Sequence, residues 1–342
     1  MKRIQLVLAL SVALTFATSS GAAQSSGEYV GTSAANFLKI GLGARAVGMG
    51  ESAITQAEDA ASLYWNPGAI THIGRPSAVF SSVQWFVETN VSYLAVTVPF
   101  DVGTFGIDVS YFGSGDIEET TLLRQDGTGR VVSASDIAVG LGYARDFTDR
   151  LSVGIKAKYI REELAAVSAD GFAFDVGSVF TTSFLNDLKI GIALTNFGGS
   201  MQFNGRELLV SNTVPESPTN KAVPAVLQTS EWAIPMTFRF GVATDVFRWE
   251  SSRITASYTI TDSRDYGDRH NVGAEVMFNN LGGLATVALR GGYRFRYDEQ
   301  TFSAGFGVGY NLETVGTLTV DYAYTDFGRL NAVHQFTFGI LL

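Results

Sequence analysis

The sequence predicts an all-β protein. The expected fold is a transmembrane antiparallel β-barrel of about fourteen strands, with an N-terminal plug-like segment containing short helices. Three observations predict it. Apolar residues recur with a period of two from residue 78 to the end of the chain. The opposing face is made of Gly, Ser, Thr and Ala with few charges, and the connectors alternate between long and short. The composition agrees. The chain has 342 residues, 37 of them Gly, and only 17% are charged, against roughly 25% in ordinary soluble domains.

The first element is an address. Lys2 and Arg3 precede a mostly apolar run over residues 4–16, and small residues lead to Ala23. This reads as a secretory signal peptide over 1–23. The apolar run is too short to cross roughly 30 Å of hydrocarbon as a helix. No Cys follows the expected cleavage site, so no lipoprotein anchor is expected.

Residues 24–77 do not alternate. Short helical stretches are expected at residues 34–40 and 58–65, the second ended by Asn66-Pro67-Gly68, a turn signature. Between them lies G-L-G-A-R-A-V-G-M-G (residues 41–50). Gly41, Gly43 and Ala46 fit a dinucleotide-binding spacing, with Asp59 further on. The βαβ unit that such a fingerprint requires is missing. The glycines therefore read as sites of close backbone packing inside a barrel.

Residues 78–342 are expected to form the barrel. Strands are expected near 78–86 and 91–100, both less tidy, then at 104–111, 136–144, 151–159, 174–180, 188–195, 236–242, 254–260, 271–278, 287–294, 302–310, 318–324 and 336–342. Residues 104–111 read T-F-G-I-D-V-S-Y, with Phe105, Ile107, Val109 and Tyr111 on one face and Gly106, Asp108 and Ser110 on the other. A water-exposed polar face would carry more Lys and Glu. This one suits a lumen, and the apolar face suits lipid. Tyr93, Tyr111, Tyr143, Tyr159, Tyr258, Tyr293, Tyr310 and Tyr324, near strand ends, fit interfacial girdles.

The connectors give a separate test. Residues 112–135, 160–171, 197–235, 261–270 and 325–333 are the expected long outer loops, with 87–90 and 294–300 short for that side. Residues 99–103, 145–150, 181–187, 244–252, 279–283 and 311–316 are the expected short periplasmic turns.

Several chemistries are disfavoured. A net charge of −9 argues against nucleic-acid partners. The absence of Cys removes disulfides, thiolate zinc sites and thiol nucleophiles. His72, His270 and His334 are widely separated and sit in no motif. Asp262, Asp265 and Asp268 lack EF-hand spacing and read as a solvated loop. No enzyme, metal or cofactor is expected. Eight charges fall on the lumen face: Asp108, Lys156, Lys158, Asp175, Arg239, Glu275, Arg290 and Asp321. Their mixed signs are expected to neutralise one another and hold the plug, with a selectivity ring as the alternative, and Arg45 is a candidate partner for a lumen carboxylate.

G-A-R-A-V-G-M-G (residues 43–50) and A-E-D-A-A-S-L-Y-W-N-P-G-A-I (residues 57–70) resemble the opening of FadL-like outer-membrane proteins. Gly43, Arg45, Gly48, Met49, Gly50, Asn66 and Pro67 carry this plug motif. P-M-T-F-R-F-G-V-A (235–243), N-V-G-A-E (271–275), L-R-G-G-Y-R-F (289–295), A-G-F-G-V-G-Y (304–310), D-Y-A-Y-T-D-F-G (321–328) and H-Q-F-T-F-G-I (334–340) are more similar to the PorV/PorQ family. The resemblance implies a bacterial outer membrane location and a role in type IX secretion. There such barrels bind substrates bearing a C-terminal sorting domain and shuttle them to the surface-attachment machinery. Implied partners are outer-membrane lipid, secreted cargo proteins and type IX components. The expected contact surface is loops 112–135 and 197–235. The second carries Pro215, Pro218 and Pro224 with apolar Val223, Val226 and Leu227. The alternative is a FadL-like transporter for hydrophobic small molecules, with a pocket lined by Phe37, Leu38, Leu42, Val47 and Met49.

Overall fold

A computed structural model describes residues 30–213, 222–312 and 314–342. The expected leader and Pro215 and Pro218 lie outside the described residues. Fourteen long strands form one closed sheet. They are β1 (Ser77–Gln84), β2 (Asn90–Phe100), β3 (Gly103–Gly113), β4 (Ala134–Thr148) and β5 (Leu151–Leu164). Next come β6 (Val167–Thr181), β7 (Lys189–Gly198), β8 (Thr237–Arg248), β9 (Ser252–Ser263) and β10 (Tyr266–Leu281). The last four are β11 (Ala285–Phe295), β12 (Phe302–Leu312), β13 (Gly316–Asp326) and β14 (Ala332–Leu341). Each pairs antiparallel with the next. β14 pairs with β1 from Leu341 opposite Ser77 to His334 opposite Gln84, which closes the barrel. Closure leaves no long edge to be satisfied within lipid.

The faces are inverted relative to a soluble sandwich. Phe105, Ile107, Leu141 and Ile155 point outward and are 42–64% exposed, while Asp108 and Lys156 point inward and are 5% and 3% exposed. An exposed apolar belt of this extent is stable only against lipid. The end bearing Ser77 and Leu341 has short connections, at 101–102, 149–150, 249–251 and 282–284. The opposite end carries the long segments 114–133 and 199–236. By the barrel rule the first end is periplasmic and the second external.

Three loop expectations are corrected. Residues 325–333 are not a long loop, because β13 runs to Asp326 and β14 starts at Ala332. Residues 160–171 and 261–270 are not long loops. They are the ends of β5 with β6 and β9 with β10, joined by turns at 165–166 and 264–265. Beyond the membrane the outward face meets water. Arg161, Glu163 and Asp170 continue the ladder there without apolar alternation, so the sequence period fades while the strand persists.

Tyr93 is also corrected. It points into the lumen, 1% exposed, and donates to Asp108 at 3.1 Å. The reason lies in what β1 and β2 face. Val79, Val83, Val91, Tyr93 and Ala95 turn inward and pack against Phe37, Leu38, Leu42, Ala60 and Ala61 of the N-terminal segment. These strands are apolar on both faces, which is why their alternation looked untidy.

Residues 30–74 form short pieces only: a 3₁₀ turn Asn36–Lys39, α1 (Ala44–Gly48), α2 (Ser62–Trp65) and a 3₁₀ helix Pro67–Ile73. Each is too short to be stable alone. They are held by the inward face of the barrel and by side-chain bonds. Trp65 Nε1 donates to the Leu42 carbonyl at 2.7 Å, and the Tyr64 hydroxyl lies 2.8 Å from the Ile40 carbonyl. Asn66 caps the last helix by accepting from the Gly68 N–H at 3.0 Å, and Pro67 fills the first helical position.

Candidate functional site

Three regions gather the chemistry-bearing residues: the ion-paired lumen, a cavity at the external end, and the external loops. In the lumen the strand register sets the first cluster. Asp108 of β3, Lys156 and Lys158 of β5 and Asp175 of β6 all point inward. Lys158 Nζ lies 2.8 Å from Asp175 Oδ1, and Lys156 pairs with Asp108. The second cluster joins the N-terminal segment to the wall. Arg45 donates to Glu275 Oε1 at 2.7 Å, Arg290 donates to Glu275 Oε2 at 2.7 Å, and Arg290 also pairs with Asp321. Glu58 of the segment lies 3.4 Å from Arg45 and pairs with Arg253 of β9. Seven of the eight lumen charges thus fall into two clusters. Arg239 joins neither; its guanidinium lies 5.3 Å from the Trp65 ring centroid.

The plug-motif glycines sit where backbones meet. Gly48 faces Gly305 and Gly50 faces Gly292. A Cβ on Gly292 would lie 2.2 Å from the Gly50 nitrogen, and one on Gly177 would lie 2.0 Å from Asn66 Oδ1. Lumen glycine and segment glycine are therefore complementary. Met49 is fully buried between them.

At the external end a cavity of about 510 Å³ is lined by Phe37, Trp85, Phe112, Arg239, Tyr266 and Arg269, among others. Of the five apolar residues expected to line a pocket, Phe37 does so. Leu38, Leu42, Val47 and Met49 are instead buried in packing contacts. Lys39 pairs with Asp265 in the β9–β10 turn at the same end. Burial alone would raise the Asp265 carboxyl, but the Lys39 bond and charge outweigh it and hold it below its ordinary value. A second cavity of about 300 Å³ lies on the periplasmic side, lined by Arg45, Asp59, Arg75, Arg290 and Asp321 among others.

The external loops form a common surface. Residues 117–118 pair with 131–132, and Leu209–Thr213 pairs with Ala222–Val226 as a hairpin. Arg130 of the first loop pairs with Glu207 of the second. Val223, Val226 and Leu227 are exposed, and Pro224 lies in the hairpin. Leu122 and Leu123, absent from the sequence reading, are 93% and 96% exposed. Two adjacent leucines in a long external loop were the available signal. Glu58, Arg253 and Arg294 were also missed, because nothing local marks a charge whose partner lies far along the chain.

An apolar belt around an ion-paired lumen defines an outer-membrane β-barrel, of the type in which the chain's own N-terminal residues fold against the inner wall. More narrowly, the chain belongs to the PorV family: the model for type IX secretion system protein PorV matches residues 23–263. No curated protein sequence matches it. Solved structures of similar fold include the CymD monoaromatic hydrocarbon channel, with 11% identity, 89% of this chain and 98% of that chain covered, and a TM-score of 0.56. The Ralstonia pickettii toluene transporter TbuX shares 12% identity over 88% of this chain and 98% of that one, with a TM-score of 0.54. A Pseudomonas aeruginosa FadL homologue shares 11% over 86% and 97%, with a TM-score of 0.52. At these identities the likeness is one of fold. The fold and family place the chain in the bacterial outer membrane.

Proposed function

We propose that this barrel receives secreted polypeptides of the type IX pathway on its external loops and passes them toward surface attachment. The observation that carries the reading is the joined loop surface. Leu122, Leu123, Leu209, Val223, Val226 and Leu227 are exposed beyond the barrel, on loops held together by Arg130 and Glu207. Exposed apolar clusters of this kind mark partner surfaces. The hairpin also has two edges unpaired among the described residues, which suits recognition by strand addition. Residues 24–77 act as the plug in this reading, sealing the lumen while cargo is handled outside. Replacing residues 209–227 with a short Gly-Ser linker tests it. Heat-modifiability on gels should persist and cargo release or attachment should be lost; normal secretion by the variant overturns the reading.

A second reading is transport of hydrophobic small molecules. The aromatic-lined external cavity favours it, as does the fold shared with hydrocarbon channels. Uptake of a labelled hydrocarbon, lost on substitution of plug residues in a strain with intact secretion, would distinguish it.

A further inference from the structure

Arg239 is exceptional among the described residues. The other buried cations, Lys156, Lys158, Arg290 and Arg294, each have a carboxylate within ion-pairing distance. Arg239 is 6% exposed and has none; its one hydrogen bond runs from Nη1 to Thr195 Oγ1 at 3.0 Å. A buried charge without a counterion is costly. Arg269 repeats the arrangement. It has no carboxylate partner among the described residues, and its guanidinium carbon lies 3.6 Å and 4.4 Å from the ring centroids of Tyr266 and Tyr297.

The register brings the two together. Arg239 of β8 is opposite Thr261 of β9, and Thr261 is opposite Arg269 of β10. The two arginines stand in one lateral row, about 10 Å apart at their Cα atoms. All three residues line the external cavity. Stacking occupies the faces of a guanidinium and leaves its in-plane N–H groups free at the edge. The cavity acids Glu51 and Asp265 are already committed to Arg294 and Lys39. Asp136 and Glu162 enter the cavity from β4 and β5, away from this row, and Asp298 also lines it. Such surroundings accept a singly charged oxyanion more readily than a phosphate.

We propose that Arg239, Thr261 and Arg269 form a binding subsite for a carboxylate carried on an apolar or aromatic body. The guanidinium edges and the threonine hydroxyl hold the carboxylate, and the rings of Phe37, Trp85 and Phe112 receive the body. The carboxylate can come from a polypeptide C-terminus or from a fatty acid. The site does not rest on the cargo reading, and deleting the external hairpin leaves it intact.

Calorimetric titration of the full-length protein in non-ionic detergent tests the subsite. The probes are the peptide Ala-Leu-Phe-Phe as free acid and as C-terminal amide, and decanoate against decanol. The free acid of at least one pair should bind tenfold or more tightly than its neutral counterpart, and the pair that does so identifies the source. Arg239→Gln and Arg269→Gln should each remove that preference. Should Arg239→Gln fail to give a heat-modifiable barrel, the less buried Arg269→Gln carries the test. Equal binding of acid and neutral forms, absence of binding, or a preference that survives the substitutions overturns the proposal.

Discussion

Arg45, in the first helix of the N-terminal segment, donates a 2.7 Å hydrogen bond to the fully buried carboxylate of Glu275 in the barrel wall. Arg290 donates to the other oxygen of the same carboxylate. One acid therefore satisfies a cation of the segment and a cation of the wall. Glu275→Gln removes the charge and leaves Arg45 with Glu58 alone and Arg290 with Asp321 alone. Leaving a buried charge wholly unpaired costs about 3–5 kcal/mol, and the two remaining carboxylates offset part of that here. The midpoint of heat-modifiability should fall clearly, and Arg45→Met should fall less because Arg290 still neutralises Glu275. Equal, negligible shifts in both variants would show that the pair does not hold the segment.

Gly291 and Gly292 are adjacent in β11 and face opposite ways. A Cβ on Gly291 meets nothing within 4 Å, whereas one on Gly292 would lie 2.2 Å from the Gly50 nitrogen. Gly291→Ala should leave the barrel unchanged. Gly292→Ala should push the segment off the wall at a cost of about 1–3 kcal/mol. Limited proteolysis reads the difference: residues 41–50 should become cleavable only in the second variant. Resistance in both would contradict the close packing.

The same adjacency explains what could be read from the residues alone. Alternation is legible where one face meets lipid and the other a polar lumen, as in residues 104–111. It blurs in β1 and β2, where Val79, Val83, Val91 and Tyr93 meet an apolar segment inside. It also fades beyond the membrane, where Arg161 and Glu163 continue the strand in water. The lumen charges were visible as residues on one face. Their pairing was not, since Arg45 and Glu275 are 230 positions apart. The stacking of Arg239 on Trp65 was equally invisible, because a cation–π contact leaves no spacing in the sequence.

The Lys39–Asp265 pair gives the N-terminal segment a pH-dependent tether at the external end. The Asp265 carboxyl is held below its ordinary value in the folded protein. Its contribution is therefore complete above the unfolded carboxylate value of about 3.9 and is lost as pH falls through the lower folded value. The hydrogen-exchange protection factors of the turn Asn36–Lys39, taken against the intrinsic rate at each pH, should be high at neutral pH and fall below that range. Lys39→Met should exchange faster at neutral pH and lose the acid-dependent step. An acid response that is the same in Lys39→Met would assign it to another group.

Asp175 holds a break in the β6–β7 ladder. Between the pairs Phe174–Phe197 and Val176–Leu194, β7 has two residues against one, a bulge. Asn196 takes the left-handed conformation there, with φ of 61°. Its N–H donates to Asp175 Oδ1 at 2.7 Å, and the same oxygen lies 2.8 Å from Lys158 Nζ. Asp175→Ala removes both bonds and leaves buried Lys158 without a carboxylate, at a cost of about 3–5 kcal/mol. Asn196 tests the backbone of the bulge itself, although its side chain also accepts from Lys158. Asn196→Gly keeps the backbone free to adopt positive φ, whereas Asn196→Val should add about 1–2 kcal/mol of backbone strain. Comparing urea midpoints of the two variants in detergent isolates that strain, since both lose the same amide. Equal midpoints would mean that the bulge relaxes without cost and that Asp175 alone determines its position.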